Sequence, residues 1–222
     1  MKYYASYGFD DFVLCLGYKG DVIKNFFLNY ETATRDVTVS LNSSLELVFH
    51  SRHDEANWTV TLADTGADTM TGGRVGRIKK FVDDERFFLT YGDGLSDVNL
   101  SELLSFHTAQ GTVATVTGVR PPGRFGELVV GRNGLADQFN EKPQASEGRI
   151  SGGFFVCEPS IFEVVNEEPD LVFEERPLRT LVGQRQLSVY EHNGFWQCMD
   201  TYRDWQLLNN LEKTSKAPWK IW

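Results

Sequence analysis

Cysteine is scarce in this sequence, and its three copies argue against a disulfide-stapled scaffold. Cys15, Cys157 and Cys198 are odd in number and lack the paired spacing of a metal site. Each lies in an apolar context: VLCLG, FFVCEP and FWQCMD. They read as buried, reduced thiols, which fits a reducing cytoplasm. Basic residues are also in deficit, since 22 Lys and Arg face 31 Asp and Glu, for a net charge of −9. Sequence-independent binding to nucleic acid needs clustered cations, so that class is disfavoured, whereas a small phosphorylated substrate needs only a few. No apolar run approaches a membrane span, and the opening MKYYASYGFDD lacks the apolar stretch of a signal peptide. The expectation is a cytoplasmic protein that binds neither nucleic acid nor membrane.

What is present suits a packed α/β chain. Apolar residues make up 41% of the 222 and aromatics 13%, enough for a sizeable core. Strand-like and helix-like stretches alternate through the first half. Strands are expected at 10–18, 58–64, 86–93 and 112–119, and helices at 20–30, 71–82 and 99–110, the last capped by Asn99. That order predicts a doubly wound, mostly parallel sheet, in which ligands bind beyond the carboxyl ends of the strands. The second half predicts a hairpin over 126–139 turning at Asn133-Gly134, and a strand over 149–159. Short helices near 160–166 and 174–184 follow, then strands at 187–192 and 195–201 and a closing amphipathic helix at 202–213. No repeat or linker interrupts the chain.

The stretch RFFLTYGDGLSD runs a buried strand into Asp93 between two glycines, and FWQCMDT ends the same way at Asp200. Two carboxylates converging at such strand ends would suit Mg²⁺, which takes one or two carboxylates together with substrate phosphates. Two unrelated turn or cap aspartates explain the same pattern. Lys142, in Glu141-Lys142-Pro143, is able to meet a phosphate, or the pair is a solvated face. Gly152-Gly153 inside an apolar strand marks a bulge or a close approach by a ligand or another backbone. The stretch TMTGGRVGR offers N–H groups at a helix start to an anion or a base edge, or else packs plainly against a loop. Asp64 stands in Asp-Thr-Gly, the core of the aspartic-protease signature. Those enzymes need two such carboxylates, and this α/β chain has one copy.

Eight segments taken in order carry a resemblance: FVLCLGYKGDVIKNFF, VTLADTGADTMTGGR, FFLTYGDGLSD, PPGRFGEL, FNEKP, SGGFFV, FWQCMDTYRD and KAPWKIW. Together they resemble the sugar-nucleotide pyrophosphorylases, and TGADTMTGGR, PPGRFG and KAPWK point to the cytidylyl branch. The resemblance implies transfer of CMP from CTP to glucose 1-phosphate with Mg²⁺. It also implies a homo-oligomer and a place in nucleotide-sugar supply for surface polysaccharide. It further implies one nucleotidyltransferase domain over 1–222, with 1–119 in the nucleotide-binding half and 120–222 in the sugar-binding and C-terminal half. Residue by residue, it implies that Asp93 and Asp200 hold the metal and that Gly92, Thr69 and Arg74 contact nucleotide or substrate. Glu141 and Lys142 would hold the sugar and its phosphate, and Gly152 and Gly153 would offer a backbone edge to the sugar.

The family opens with a strand and a Gly-Gly-x-Gly-Thr-Arg loop followed by a Lys-Pro motif, and these 222 residues contain no such loop with its Lys-Pro. The resemblance sets Met1 inside the family's first long helix, so the expected sheet is N-terminally truncated. Weak binding of CTP and unpaired strand edges are the corresponding expectations. Two alternatives stand beside the enzyme: a non-catalytic sugar-nucleotide-binding homologue, and the same chemistry on another nucleotide or sugar 1-phosphate.

Overall fold

The computed structural model describes residues 1–222 except 42–44, 52, 54, 83, 122–126, 131, 133–134 and 141–147. At 45, 127–130 and 138–140 it describes the backbone alone. The chain divides into two compact units. The first is built from Tyr3–Asp83 and Phe162–Arg179, the second from Asp84–Ile161 and Thr180–Trp222.

In the first unit the chain runs through α1 (Lys2–Ala5), β1 (Asp11–Leu16), α2 (Gly20–Leu28), α3 (Tyr30–Thr34), β2 (Val37–Leu41), β3 (Leu45–Phe49), β4 (Thr59–Asp64) and α4 (Thr71–Arg77). Strands β1 and β4 pair in parallel with Leu16 opposite Asp64, so their carboxyl ends coincide. A parallel pair needs a long crossover, and α2, α3 and a hairpin occupy it. That hairpin pairs β2 with β3, with Val39 opposite Leu47. The helix expected over 71–82 stops at Arg77 and continues as a 3₁₀ turn at Lys79–Phe81. Residues 166–171 lie against the glycine face of α4. A Cβ on Gly72 would come 2.7 Å from Leu171 Cγ, and one on Gly76 would run into the Asn166 carbonyl.

The second unit holds β5 (Phe87–Thr90), β6 (Gly94–Ser96), α5 (Leu100–Gln110), β7 (Ala114–Val119), β8 (Glu127–Val130), β9 (Ala136–Asn140) and β10 (Ile150–Cys157). After α6 (Arg176–Gly183) come β11 (Leu187–Glu191), β12 (Trp196–Cys198) and α7 (Tyr202–Lys213). Its main sheet has the order β11-β7-β10-β5. Strands β11 and β7 are parallel, and β10 runs antiparallel to β7 and to β5, so the α/β sheet is mixed. Every residue of β7 is buried, which is why TVATVTGV reads as an uninterrupted apolar run with threonines rather than an alternating one. Leu100, Leu103, Phe155, Val156 and Ile161 are fully buried around it. Asn99 caps α5 as expected, accepting from the Ser101 and Glu102 N–H groups at 3.1 Å each. Strands β8 and β9 form the predicted hairpin, though Asn133-Gly134 lies outside the described residues. Of the three thiols only Cys157 is buried outright, and burial pushes it up to about 12. Cys15 and Cys198 are partly exposed.

Candidate active site

The segments that carry the two aspartates run side by side because two short strands pair. β6 and β12 are antiparallel, with Gly94 opposite Cys198 and Ser96 opposite Trp196. The pairing extends by one bond past the strands, where the Met199 N–H donates to the Asp93 carbonyl at 2.9 Å. Asp93 therefore faces Met199, and Asp200 is the next residue along. Both are exposed. The chain after Asp200 is fixed by a capping box. Asp204 N–H donates to Thr201 Oγ1 at 3.2 Å, and Thr201 N–H donates to Asp204 Oδ2 at 3.0 Å. Thr201 caps α7, which leaves Asp200 outside the capping role. The Gln197 amide ties β12 to the same helix start by donating to Asp204 Oδ1 at 3.1 Å.

Asp200 also accepts from the Cys198 thiol at 3.1 Å. Burial first, and that hydrogen bond second, push the Cys198 thiol up to about 11, so it stays protonated as a donor. Among the described residues no group of three or more His, Cys, Asp or Glu side chains is arranged to hold a metal. Asp93 and Asp200, both exposed on neighbouring segments, are the kind of donors that Mg²⁺ takes together with phosphate oxygens and water.

Beside the aspartates stands the glycine pair, and it is a bulge. The register of β10 on β7 shifts between Ser151 and Phe155, and Gly153 adopts φ +77°. Only glycine takes that conformation without strain, and a Cβ there would be driven into the Tyr91 ring. Tyr91 itself packs edge-on against Phe155, with centroids 6.0 Å apart. The Gly152 carbonyl accepts from the Trp196 indole N–H at 2.8 Å. Sequence reasoning did not single out Trp196. Its signal was only an aromatic residue four positions before Asp200.

In the first unit, Thr69 and Arg74 belong to the loop and helix that follow β4. Arg74 donates to Thr65 Oγ1 at 2.8 Å and to the Ala67 carbonyl at 3.2 Å. Arg77, which sequence reasoning also passed over, donates to the Thr65 carbonyl and to Thr69 Oγ1, at 2.7 and 2.8 Å. The two arginines thus hold the 65–69 loop in shape, and Thr69 is 6% exposed. Three N–H groups at the start of α4 are taken by the chain itself. Met70 N–H donates to the Pro169 carbonyl, and Gly72 and Gly73 N–H donate to the Leu171 carbonyl. Of the two readings of TMTGGRVGR, loop-to-helix packing is the one realised. At the common carboxyl end of β1 and β4 lies an open cleft of about 270 Å³, bordered by Gly17, Lys19, Lys24 and Asp64. Lys24 Nζ is 3.8 Å from Asp64 Oδ2. Asp64 ends a strand of a parallel pair, which does not suit an aspartic-protease reading. Glu141 and Lys142 lie outside the described residues.

The profile of the Nucleotidyl transferase family matches residues 18–197. A glucose-1-phosphate cytidylyltransferase from Salmonella typhimurium is 45% identical over 223 residues, covering all of this chain and 85% of that protein. A probable glucose-1-phosphate cytidylyltransferase from Bacillus subtilis is 42% identical over 222 residues, with the same coverage. Among solved structures, HddC from Yersinia pseudotuberculosis superposes with a TM-score of 0.63 at 17% identity, covering 96% of this chain and 83% of its own. That last likeness is one of fold.

Proposed function

The chain belongs to the nucleotidyl transferase family, among the glucose-1-phosphate cytidylyltransferases, and from that premise we propose that it transfers CMP from CTP to glucose 1-phosphate, releasing pyrophosphate. The observation that supports the reading is the β6–β12 register, which pairs Asp93 with Met199, the residue before Asp200.

Asp93 and Asp200 would hold Mg²⁺, and the bound ion would offset part of the phosphate charge that repels an anionic nucleophile. A phosphate oxygen of the sugar attacks the α-phosphorus of CTP, forming the new O–P bond while the bond to pyrophosphate breaks. The attacking oxygen already bears negative charge, so no side chain has to remove a proton from it. Catalysis then rests on alignment and charge compensation. Lys142 holds the sugar phosphate as a point charge, with Glu141 on the sugar. The Gly152-Gly153 bulge presents backbone to the sugar at a distance no side chain would permit. Gly92 leaves room beside Asp93 for the nucleotide, and nothing lies within 4 Å of where its Cβ would be. Thr69 and Arg74 belong to the nucleotide, their loop held from beneath by Arg77.

Pyrophosphate release with glucose 1-phosphate and Mg²⁺, compared across CTP, UTP, dTTP and GTP, tests the proposal. CTP is expected to give the highest kcat/KM. Equal or greater turnover with another nucleotide would overturn the cytidylyl assignment.

A further inference from the structure

We infer that Trp196 is a positioning residue for the sugar phosphate, acting through the Gly152 carbonyl. The inference rests on the reading above, in which the glycine bulge borders the sugar. Strand β10 leaves its register with β7 between Ser151 and Phe155, and within that interval the Gly152 carbonyl takes its hydrogen bond from the Trp196 indole N–H at 2.8 Å. A carbonyl in a bulge has no fixed ladder partner, so whichever donor meets it sets the orientation of that peptide plane and of the Gly153 N–H beyond it.

The same bond fixes a second distance. A Cβ built on Gly94 would stand 3.8 Å from both Trp196 Nε1 and the Gly152 oxygen, so the bond passes beside the residue that follows Asp93. Trp196 in turn pairs with Ser96 and lies four residues before Asp200. One indole therefore spans three segments: the one carrying Asp93, the one carrying Asp200 and the bulge. The separation between the Gly94 backbone, next to Asp93, and the glycine bulge is set there. On the other side Tyr91 closes over Gly153, where a Cβ would not fit, so the bulge is held from two directions. Aromatic packing alone would need no donor. The indole N–H donated to the Gly152 carbonyl is what makes tryptophan, rather than phenylalanine, the residue for this place.

Two substitutions separate the N–H from the ring. Trp196→Phe removes the donor and trims the ring. Replacement of Trp196 by 3-benzothienylalanine keeps the bicyclic shape and exchanges N–H for sulfur. With a hydrogen bond of ordinary net worth lost, KM for glucose 1-phosphate should rise about tenfold in both, while KM for CTP and kcat each move less than roughly twofold. A merely structural role would lower the amount of active enzyme and leave both KM values in place. Should Trp196→Phe not fold, the benzothienyl variant decides. An unchanged KM for glucose 1-phosphate in that variant, or an equal rise for both substrates, overturns the inference. Absence of turnover by the unsubstituted chain with every nucleotide would instead overturn the functional reading and the inference with it.

Discussion

Replacing Gly153 by alanine should cost stability and function together. A left-handed φ of +77° is strained for alanine, and the added methyl would have to displace the Tyr91 ring. The expected loss is about 1–3 kcal/mol in urea unfolding, with a higher KM for glucose 1-phosphate. A melt and a KM both matching the parent chain would contradict the bulge geometry. At this scale much was legible. A carboxylate between two glycines at the end of a buried run, and a glycine pair inside another, are anomalies that local propensity does not explain. Trp196 was not legible, because its role is a single hydrogen bond to a residue 44 positions away. Arg77 was hidden for the same reason: an arginine on a helix reads as solvated until its loop partners are known. The cleft edge at Gly17–Gly20 carried only a short turn signal.

At the scale of elements, alternation and caps did most of the work. Asn99 and the start of α5 follow from cap chemistry, and β7 from its continuous burial. The β2–β3 hairpin was missed although VTVSL and LELVF alternate. Val39 and Leu47 are 45% and 43% exposed, so the alternation does not mark a buried face. The glycines of α4 left two readings open in the sequence, a ligand-facing helix start and packing against a loop. They serve the backbone of residues 166–171, which comes too close for any side chain. Gly76→Ala should therefore destabilise the first unit by about 1–3 kcal/mol even though alanine favours helix. A stabilised variant, read from its thermal melt, would refute that packing. Thr201→Ala should cost about 1 kcal/mol by opening the capping box, and should lower turnover through the neighbouring Asp200.

At the scale of the whole molecule, the fold returns residues 162–179 to the first unit after the chain has built much of the second, and no local pattern announces such a return. A buried polar network does leave a trace in pH behaviour. His107 is fully buried, with Nδ1 2.7 Å from Thr115 Oγ1 and Nε2 3.1 Å from Glu158 Oε1. The carboxylate requires a donor at Nε2, which leaves Nδ1 to accept from the Thr115 hydroxyl in a neutral ring. Burial depresses His107 below its ordinary 6.5, with Arg86 helping and Glu158 opposing. Burial pushes Glu158 the other way, but its bonds from Arg86 and His107 prevail and hold it below 4.5. Both groups bind protons more readily when unfolded, so both contribute stability that is lost with acid. That stability is present above pH 6.5, erodes as pH falls through the folded His107 value, and erodes further below 4.5 as Glu158 protonates. His107→Gln should flatten the decline in melting temperature as pH falls below 6.5. An acid slope identical to that of the parent chain would contradict the assignment.

The proposed mechanism requires Asp93 and Asp200, 107 residues apart in sequence, to act as one site. A double-mutant cycle on pyrophosphate release, with Asp93→Asn, Asp200→Asn and both together, tests it most directly. Carboxylates sharing one ion fail as a unit. Each single change should cost at least roughly a hundredfold in kcat, and the pair should cost little more than either alone. Independent, multiplying losses, or a single variant with parental turnover, would mean that the two aspartates do not serve a common centre.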